Sequence, residues 1–90
     1  MLEFEWDENK AKINNTKHSV SFEEASTVFN DSFAKFDYDL DHSIDEDRYV
    51  LIGHSYKNRL LFVSFTEKGN KIRIISSRLA TNMERNQYEN

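Results

Sequence analysis

The sequence contains no cysteine and no proline, and it has only two glycines. Without cysteine there can be no disulfide bond and no thiolate metal site, which fits a reducing compartment. Gly53 and Gly69 stand far apart, so they cannot form the glycine-rich loop that holds a nucleotide phosphate. With so few chain breakers there is no sign of a linker, and residues 1–90 are predicted to form a single domain.

Long apolar stretches are missing as well. No run approaches the roughly 20 apolar residues of a membrane-spanning helix. The sequence does not open with a charged and then apolar signal segment. We therefore expect a soluble, cytoplasmic protein with no membrane partner. The G-x-S-x-G elbow of many serine hydrolases is also missing, which argues against nucleophilic hydrolysis by serine.

Charge is distributed unevenly, although the net charge is only -4. Residues 1–47 carry four Lys and thirteen Asp or Glu, a net charge of -9, whereas residues 48–90 carry eight Lys or Arg and three Glu, a net charge of +5. Such a chain can present a cationic face to phosphate groups. The two halves can equally neutralise each other across the fold.

A hairpin predicted over Arg59–Arg78 organises the fold. Its turn contains Gly69 and Asn70, residue types that accept a positive φ in a tight reversal. The run Leu60–Phe65 is apolar at nearly every position, which predicts a central strand buried on both faces. From Lys71 to Ile74 polar and apolar residues alternate, which predicts a half-buried strand with a basic outer face.

The other elements follow from periodicity and capping residues. The predicted strands are a short edge strand at Leu2–Trp6, a strand at Phe33–Tyr38 and a strand at Arg48–His54. The predicted helices are Asp7–His18, one capped by Ser21 with Glu24, and one capped by Thr81 with Glu84. This order predicts an α+β fold, a mostly antiparallel sheet with two N-terminal helices and one C-terminal helix.

An acidic stretch at Asp37–Asp47 offers oxygen and imidazole groups that could bind a metal. It lacks the ligand spacing of an EF-hand or of H-E-x-x-H, so we predict a solvated loop, with no metal and no cofactor. The residues concerned are Asp39, Asp41, His42, Asp45, Glu46 and Asp47.

Metal-free cleavage of RNA depends less on a defined sequence motif than on a charged surface. Attack by a 2′-hydroxyl group on the neighbouring phosphate needs a proton acceptor, a proton donor and cations near the developing charge. Glu67 and the three histidines are candidate acceptors, and Tyr88 is a candidate donor or stacking surface. The candidate cations are Arg48, Arg59, Arg73 and Arg78.

Each of these residues also has a structural interpretation. Glu67 precedes the predicted turn and can be a turn residue, Arg78 can form a salt bridge at the entry of the last helix, and His18 can cap the end of the first helix. Taken singly, the residues favour these structural roles. Their gathering at one end of a small sheet moves the balance between the two interpretations toward parity.

Several stretches, spread over almost the whole chain, resemble the BrnT family of bacterial toxins. The stretches are Trp6-Asp7 with Lys10, Lys17-His18, Val20–Ala25, Asp41-His42-Ser43, Arg48 with Leu51-Ile52-Gly53, Thr66-Glu67 with Gly69, Arg73–Ser76 with Arg78, Ala80-Thr81, and Glu84-Arg85 with Tyr88-Glu89.

This resemblance implies the toxin of a type II toxin–antitoxin pair. Its fold would be RelE-like, and it would be an endoribonuclease that cleaves RNA, inhibits translation and arrests growth. A DNA-binding antitoxin of the BrnA kind would neutralise it, typically as two toxins with two antitoxins, and DNA would be contacted through the antitoxin. In RelE-like toxins the scissile phosphate is held where this chain has the basic residues of its hairpin, Arg78 and Tyr88.

The residues and the resemblance together give two sets of candidates. The catalytic candidates are Arg78, Glu67, Arg48, Tyr88 and His54. The RNA-binding candidates are Arg59, Lys71, Arg73, Arg85 and Lys57.

The chain also departs from the family pattern. Further basic residues are common in the family around the start of the final helix, where this chain has Leu79, Asn82, Met83 and Asn86. Tyr near Phe65 and Arg near His54 are also common. Two hypotheses therefore stand, an active endoribonuclease toxin and a non-catalytic or attenuated module that keeps the antitoxin interface.

Overall fold

The computed structural model describes residues 2–90, which form one five-stranded sheet and three α-helices. The strands are β1 (Glu3–Glu5), β2 (Lys35–Tyr38), β3 (Arg48–His54), β4 (Leu60–Lys68) and β5 (Lys71–Leu79), and the helices are α1 (Glu8–His18), α2 (Phe22–Thr27) and α3 (Asn82–Glu89). The strand order is β1-β5-β4-β3-β2. All neighbours are antiparallel except β1 and β5, which are parallel. The α+β prediction is therefore confirmed.

The predicted hairpin is formed by β4 and β5, and β4 is the middle strand of the sheet. Gly69 has a φ of +62°, as its place in the turn requires. Asn70 is not among the residues of 2–90 with positive φ, so the turn uses only one of the two expected positions. The predicted edge strand is also confirmed, since β1 borders β5 alone.

Helices α1 and α2 pack against β5 on one face of the sheet. Asp7 caps α1, because its Oδ1 accepts the Lys10 N–H at 3.0 Å. Ser21 caps α2 in the same way through the Glu24 N–H. In the expected capping box the Glu24 carboxylate would accept a bond from the Ser21 N–H. The carboxylate instead accepts bonds from Arg59 and Ser55. The core beneath these helices consists of Val20, Phe22, Ala25, Val28, Leu51, Leu61, Val63, Phe65, Ile72 and Ile74.

A β-bulge in β5 changes which face its basic residues occupy. Ser64 pairs with Ser76, but Phe65 pairs with Ile74, so β5 carries one extra residue at Ile75. Regular alternation would place Arg73 and Arg78, five positions apart, on opposite faces. The bulge brings both onto the face that points away from α1 and α2.

Candidate active site

The face of the sheet opposite α1 and α2 is called the open face below. Side chains of paired residues lie on the same face, so the register gives its rows directly. One row contains Arg48, Thr66 and Arg73, and a second contains Ile52, Phe62 and Arg78. Between them lies a row of smaller residues, Val50, Ser64 and Ser76. Helix α3 contacts β3 and covers only part of the open face.

A groove of about 540 Å³ occupies the uncovered part of the open face. Arg48 borders it on β3 and Arg78 borders it on β5, and the segment that follows β2 forms its wall. The lining residues are Asp37, Tyr38, Asp39, Leu40, Asp41, His42, Arg48, Val50, Phe62, Ser64, Ile75, Ser76 and Arg78. The groove therefore brings two arginines and one histidine to a common concave surface.

Contacts with Phe62 and Glu84 fix the position of the Arg78 side chain. Its guanidinium lies 4.2 Å from the centre of the Phe62 ring, a cation–π contact. Two hydrogen bonds, of 2.8 and 3.0 Å, join it to the two oxygens of the Glu84 carboxylate. These bonds raise the pKa of Arg78, so the group stays charged. The salt bridge at the entry of the last helix, one of the two interpretations of Arg78, is thus present.

The Glu84 carboxylate accepts hydrogen bonds from both Arg78 and Thr81. Its Oε1 accepts the Thr81 N–H at 2.9 Å, which completes the predicted capping box of α3. Burial alone would raise the pKa of Glu84, but the bonds from Arg78 and Thr81 lower it. The carboxylate is therefore ionised at neutral pH and competes with any anion for the Arg78 guanidinium.

Arg48 starts β3 at the other border of the groove. Its backbone is fixed, because the Arg48 N–H donates to Ser43 Oγ at 2.9 Å and its carbonyl accepts the Asp39 N–H at 2.8 Å. Its side chain reaches Glu46 at 3.4 Å, a long contact on the surface. Glu46 is shared with Lys68 at 3.2 Å. Arg48 is accordingly held less tightly than Arg78.

His42 is a groove residue that is a candidate proton acceptor, like the other histidines, but is not among the five catalytic candidates. It ends the 3₁₀ turn Leu40–His42, and its Nδ1 lies 2.9 and 3.1 Å from the two oxygens of Asp39. The Asp39 side chain is only 20% exposed, whereas the imidazole is 68% exposed. A carboxylate that holds one ring nitrogen leaves the other free to exchange a proton. The Asp-x-x-His spacing in the acidic stretch was the available signal.

Three of the five catalytic candidates lie outside the groove. Glu67 belongs with Phe65 to the side of β4 that faces α1 and α2, by alternation from the buried Leu61 and Val63. His54 is six residues from Arg48 along β3, about 20 Å at 3.3 Å per residue. Tyr88 lies with His54 at that far end.

His54 and Tyr88 join α3 to the sheet through Asp31. The Tyr88 hydroxyl donates to Asp31 Oδ2 at 2.7 Å, and the backbone N–H of His54 donates to the same oxygen at 2.8 Å. His54 Nδ1 lies 3.1 Å from the Tyr88 oxygen. Burial and the Asp31 carboxylate raise the pKa of Tyr88 to about 12. The phenol therefore stays protonated, and this cluster ties down the end of α3.

The RNA-binding candidates are also dispersed. Arg59 forms two bonds with the buried carboxylate of Glu24. Arg73 binds Glu5 at 2.9 Å. Lys71 is exposed at the start of β5, Lys57 is exposed in the turn before β4, and Arg85 is exposed on α3. None of these five lines the groove.

A family model described as "Ribonuclease toxin, BrnT, of type II toxin-antitoxin system" matches residues 6–84. The chain belongs to the BrnT family. The fold agrees, because the 1.1 Å crystal structure of the Brucella abortus ribonuclease toxin BrnT is similar to this chain with a TM-score of 0.69 and 25% identity. That match covers 91% of this chain and 100% of the Brucella chain. No protein with a curated functional description matches significantly.

Membership of the BrnT family makes this chain a toxin of the type II toxin–antitoxin class, and the family is described as ribonucleases. Such a toxin has an antitoxin partner. Two further observations concern residues 2–90 only. No helix there has the length and apolar character needed to cross a membrane. No group of three or more His, Asp or Glu side chains converges there as metal ligands.

Proposed function

We propose that this BrnT-family chain is an active, metal-independent endoribonuclease with a RelE-like fold, and that the groove on the open face is its active site. The observation that carries the proposal is the sharing of one groove by Arg48, Arg78 and the His42–Asp39 pair. These are the group types that the reaction needs, cations for the phosphate and an oriented proton carrier.

In the proposed reaction, the 2′-oxygen attacks the adjacent phosphorus while the bond from phosphorus to the 5′-oxygen breaks. His42 accepts the proton of the 2′-hydroxyl group through its free nitrogen, and Asp39 holds the ring in place and stabilises the imidazolium. A proton returns to the 5′-oxygen from the imidazolium or from water. The products are a 2′,3′-cyclic phosphate and a 5′-hydroxyl group.

Arg78 and Arg48 stabilise the charge that grows on the phosphorane. A guanidinium can bind two phosphate oxygens at once, which suits a group that must bind the transition state more tightly than the substrate. Arg78 is well prepared for this role, because Phe62 and Glu84 fix its position before RNA arrives. Lys71 and Arg73 share the open face and contribute to holding the RNA backbone.

The partner proposed is an antitoxin of the BrnA kind, in a complex of two toxins and two antitoxins. Acidic or apolar antitoxin residues over the groove would neutralise the toxin by covering Arg78, and would explain inhibition without any change of fold. RNA cleavage by the free toxin would inhibit translation and arrest growth.

The second candidate function is the non-catalytic module, and one observation favours it. The guanidinium of Arg78 is already bound by Glu84, and Arg73 is already bound by Glu5. Both bridges must open or be shared before these arginines bind phosphate. A protein in which they stay closed would keep the fold and the antitoxin interface without cleaving RNA.

Mapping of RNA ends after induction of the toxin alone separates the two candidates. The active-enzyme proposal expects growth arrest, new 5′-hydroxyl ends in cellular RNA, and cleavage by the purified protein in EDTA. Expression of the folded protein without new RNA ends would favour the non-catalytic module. Loss of cleavage in EDTA with recovery on adding a divalent metal would contradict the metal-free mechanism.

A further inference from the structure

Strand β2 ends the sheet with an unpaired edge. Within the described residues it pairs with β3 alone. The Asp39 N–H donates to the Arg48 carbonyl. In an antiparallel pair every second residue bonds to the neighbouring strand, so this bond fixes which residues of β2 face β3 with their backbone groups. Lys35 and Asp37 therefore bond to β3, while Phe36 and Tyr38 point their backbone groups outward. The Tyr38 N–H is taken by Asp37 Oδ1 at 2.8 Å, which leaves the N–H and C=O of Phe36 and the C=O of Tyr38 available to a new strand.

Aromatic side chains are exposed along the same edge. Phe33 is 76% exposed and Phe36 is 61% exposed, and Tyr38 is exposed beside them. These three residues are called the aromatic edge. Phe36 stacks on Tyr49 with ring centres 5.3 Å apart, and Tyr49 stacks on Phe65 at 5.7 Å. Phe36 is thus the outer end of a row of rings that runs into the core, and it is held in position before any partner binds.

The charge around the aromatic edge selects the kind of partner. Residues 31–47 contain seven Asp or Glu and one Lys. On the outer side of β2, away from Arg48 and Arg78 of the groove, this acidic surface disfavours nucleic acid. A second copy of this chain, bound edge to edge, would bring two acidic segments together. A positively charged protein segment is attracted.

We infer that the edge of β2 is a docking site for an extended, basic segment of a protein partner. The segment adds a sixth strand beside β2, its backbone bonds to Phe36 and Tyr38, its apolar side chains cover Phe33 and Phe36, and its Lys or Arg side chains face Asp37. Asp37 and Tyr38 also line the groove, but strand addition uses the outer backbone edge of β2, and peptide binding there is measured without RNA. The inference therefore does not depend on whether the protein cleaves RNA.

The test uses a synthetic peptide in which lysine alternates with valine, added to the isotopically labelled full chain and followed by NMR. The expected result is saturable shifts at residues 33–40 and slowed exchange of the Phe36 amide hydrogen. A peptide with glutamate in place of lysine should not bind. Asp37→Lys should weaken binding of the lysine peptide about fivefold, and added salt should weaken it further.

A matched pair of surface variants controls for non-specific apolar contact. Ile13 is also a large exposed apolar residue, but it lies on α1. Phe36→Ser should reduce peptide binding at least several-fold, whereas Ile13→Ser should leave it unchanged, with dispersed NMR spectra showing that both variants fold. The inference is overturned if millimolar lysine peptide leaves residues 33–40 unshifted, if the glutamate peptide binds equally well, or if the edge instead binds a second copy of the chain or an RNA oligonucleotide.

Discussion

The side-chain amide of Asn14 binds both backbone groups of Ser77. Asn14 Nδ2 donates to the Ser77 carbonyl at 2.8 Å, and the Ser77 N–H donates to Asn14 Oδ1 at 3.1 Å. A third bond runs from Nδ2 to the Val20 carbonyl at 2.9 Å. Strand β1 pairs only with residues 71–73 of β5, so Asn14 continues the hydrogen bonding of β5 beyond the end of β1.

Asn14→Ala should lower the free energy of unfolding by about 3 kcal/mol, because it leaves three buried backbone groups without partners. Urea denaturation followed by circular dichroism measures the change. Asn15→Ala is the control, since Asn15 is exposed on the same helix and its replacement should change stability by about 0.5 kcal/mol or less. Equal effects of the two substitutions would mean that the Asn14 bonds contribute nothing.

Arg78→Ala should reduce kcat for RNA cleavage by about 10²- to 10³-fold with a smaller change in KM, because the guanidinium acts mainly on the developing charge. Cleavage of a fluorescent RNA oligonucleotide by the purified variant gives both constants. Arg85→Ala removes an exposed arginine of α3 outside the groove and should remain near wild-type activity. A folded Arg78→Ala protein with full activity would exclude Arg78 from the active site.

Glu84→Gln should tighten RNA binding about fivefold, because it removes the carboxylate that competes for Arg78. Glutamine can keep the capping bond to Thr81, so α3 should remain folded. Fluorescence anisotropy with a non-cleavable RNA analogue measures the affinity. Weaker binding by a variant with intact helix content would mean that the positioning of Arg78 by Glu84 contributes more to RNA affinity than the competition costs.

His42→Gln should reduce kcat by about 10²-fold or more, as expected for loss of a positioned proton carrier. Asp39→Asn should have a smaller effect, since it leaves the ring but weakens its orientation. His18→Gln provides the matched control, because His18 lies at the end of α1 outside the groove. Steady-state cleavage assays compare the kcat of these three variants with that of the wild type. Retention of the wild-type rate by His42→Gln would remove His42 from the proposed mechanism.

Stability should fall at acidic pH through Glu24. Hydrogen bonds from Arg59 lower the pKa of Glu24 despite the opposing effect of burial. A carboxyl group with a lower pKa in the folded state stabilises the fold above its ordinary pKa of 4.5 and loses this contribution as pH falls through the folded-state value. Urea midpoints of the wild type should therefore drop below pH 4.5 more steeply than those of Glu24→Gln. Parallel pH profiles would contradict this origin.

The Glu24–Arg59 pair also predicts a large loss of stability at neutral pH when Arg59 is replaced. The Glu24 side chain is only 1% exposed, so Arg59→Ala would leave a buried carboxylate without its cation. The expected loss of stability is about 3 to 5 kcal/mol, measured in the same urea assay.

Local patterns in the sequence were sufficient to predict the strands, the hairpin and the helix caps at Asp7 and Thr81. The open face was harder to predict, because burial of Leu60–Phe65 was expected on both sides, whereas the ring of Phe62 is only partly buried and carries Arg78. The bulge at Ile75 breaks the alternation on which face assignments depend. Contacts between distant residues, such as Glu24 with Arg59 and Asp31 with Tyr88, leave no periodic signal in a single sequence.

The position of β5 in the sheet also has a consequence for synthesis of the protein. Of the five strands in residues 2–90, β5 is made last, yet it lies between β1 and β4 and receives α1, α2 and Asn14. The surface of β5 that α1 and α2 cover forms only after residues 71–79 have left the ribosome, so these helices cannot complete their packing on the sheet before that point of translation. Arg78 joins the groove at the same moment. A groove that contains both arginines therefore exists only once β5 has joined the sheet.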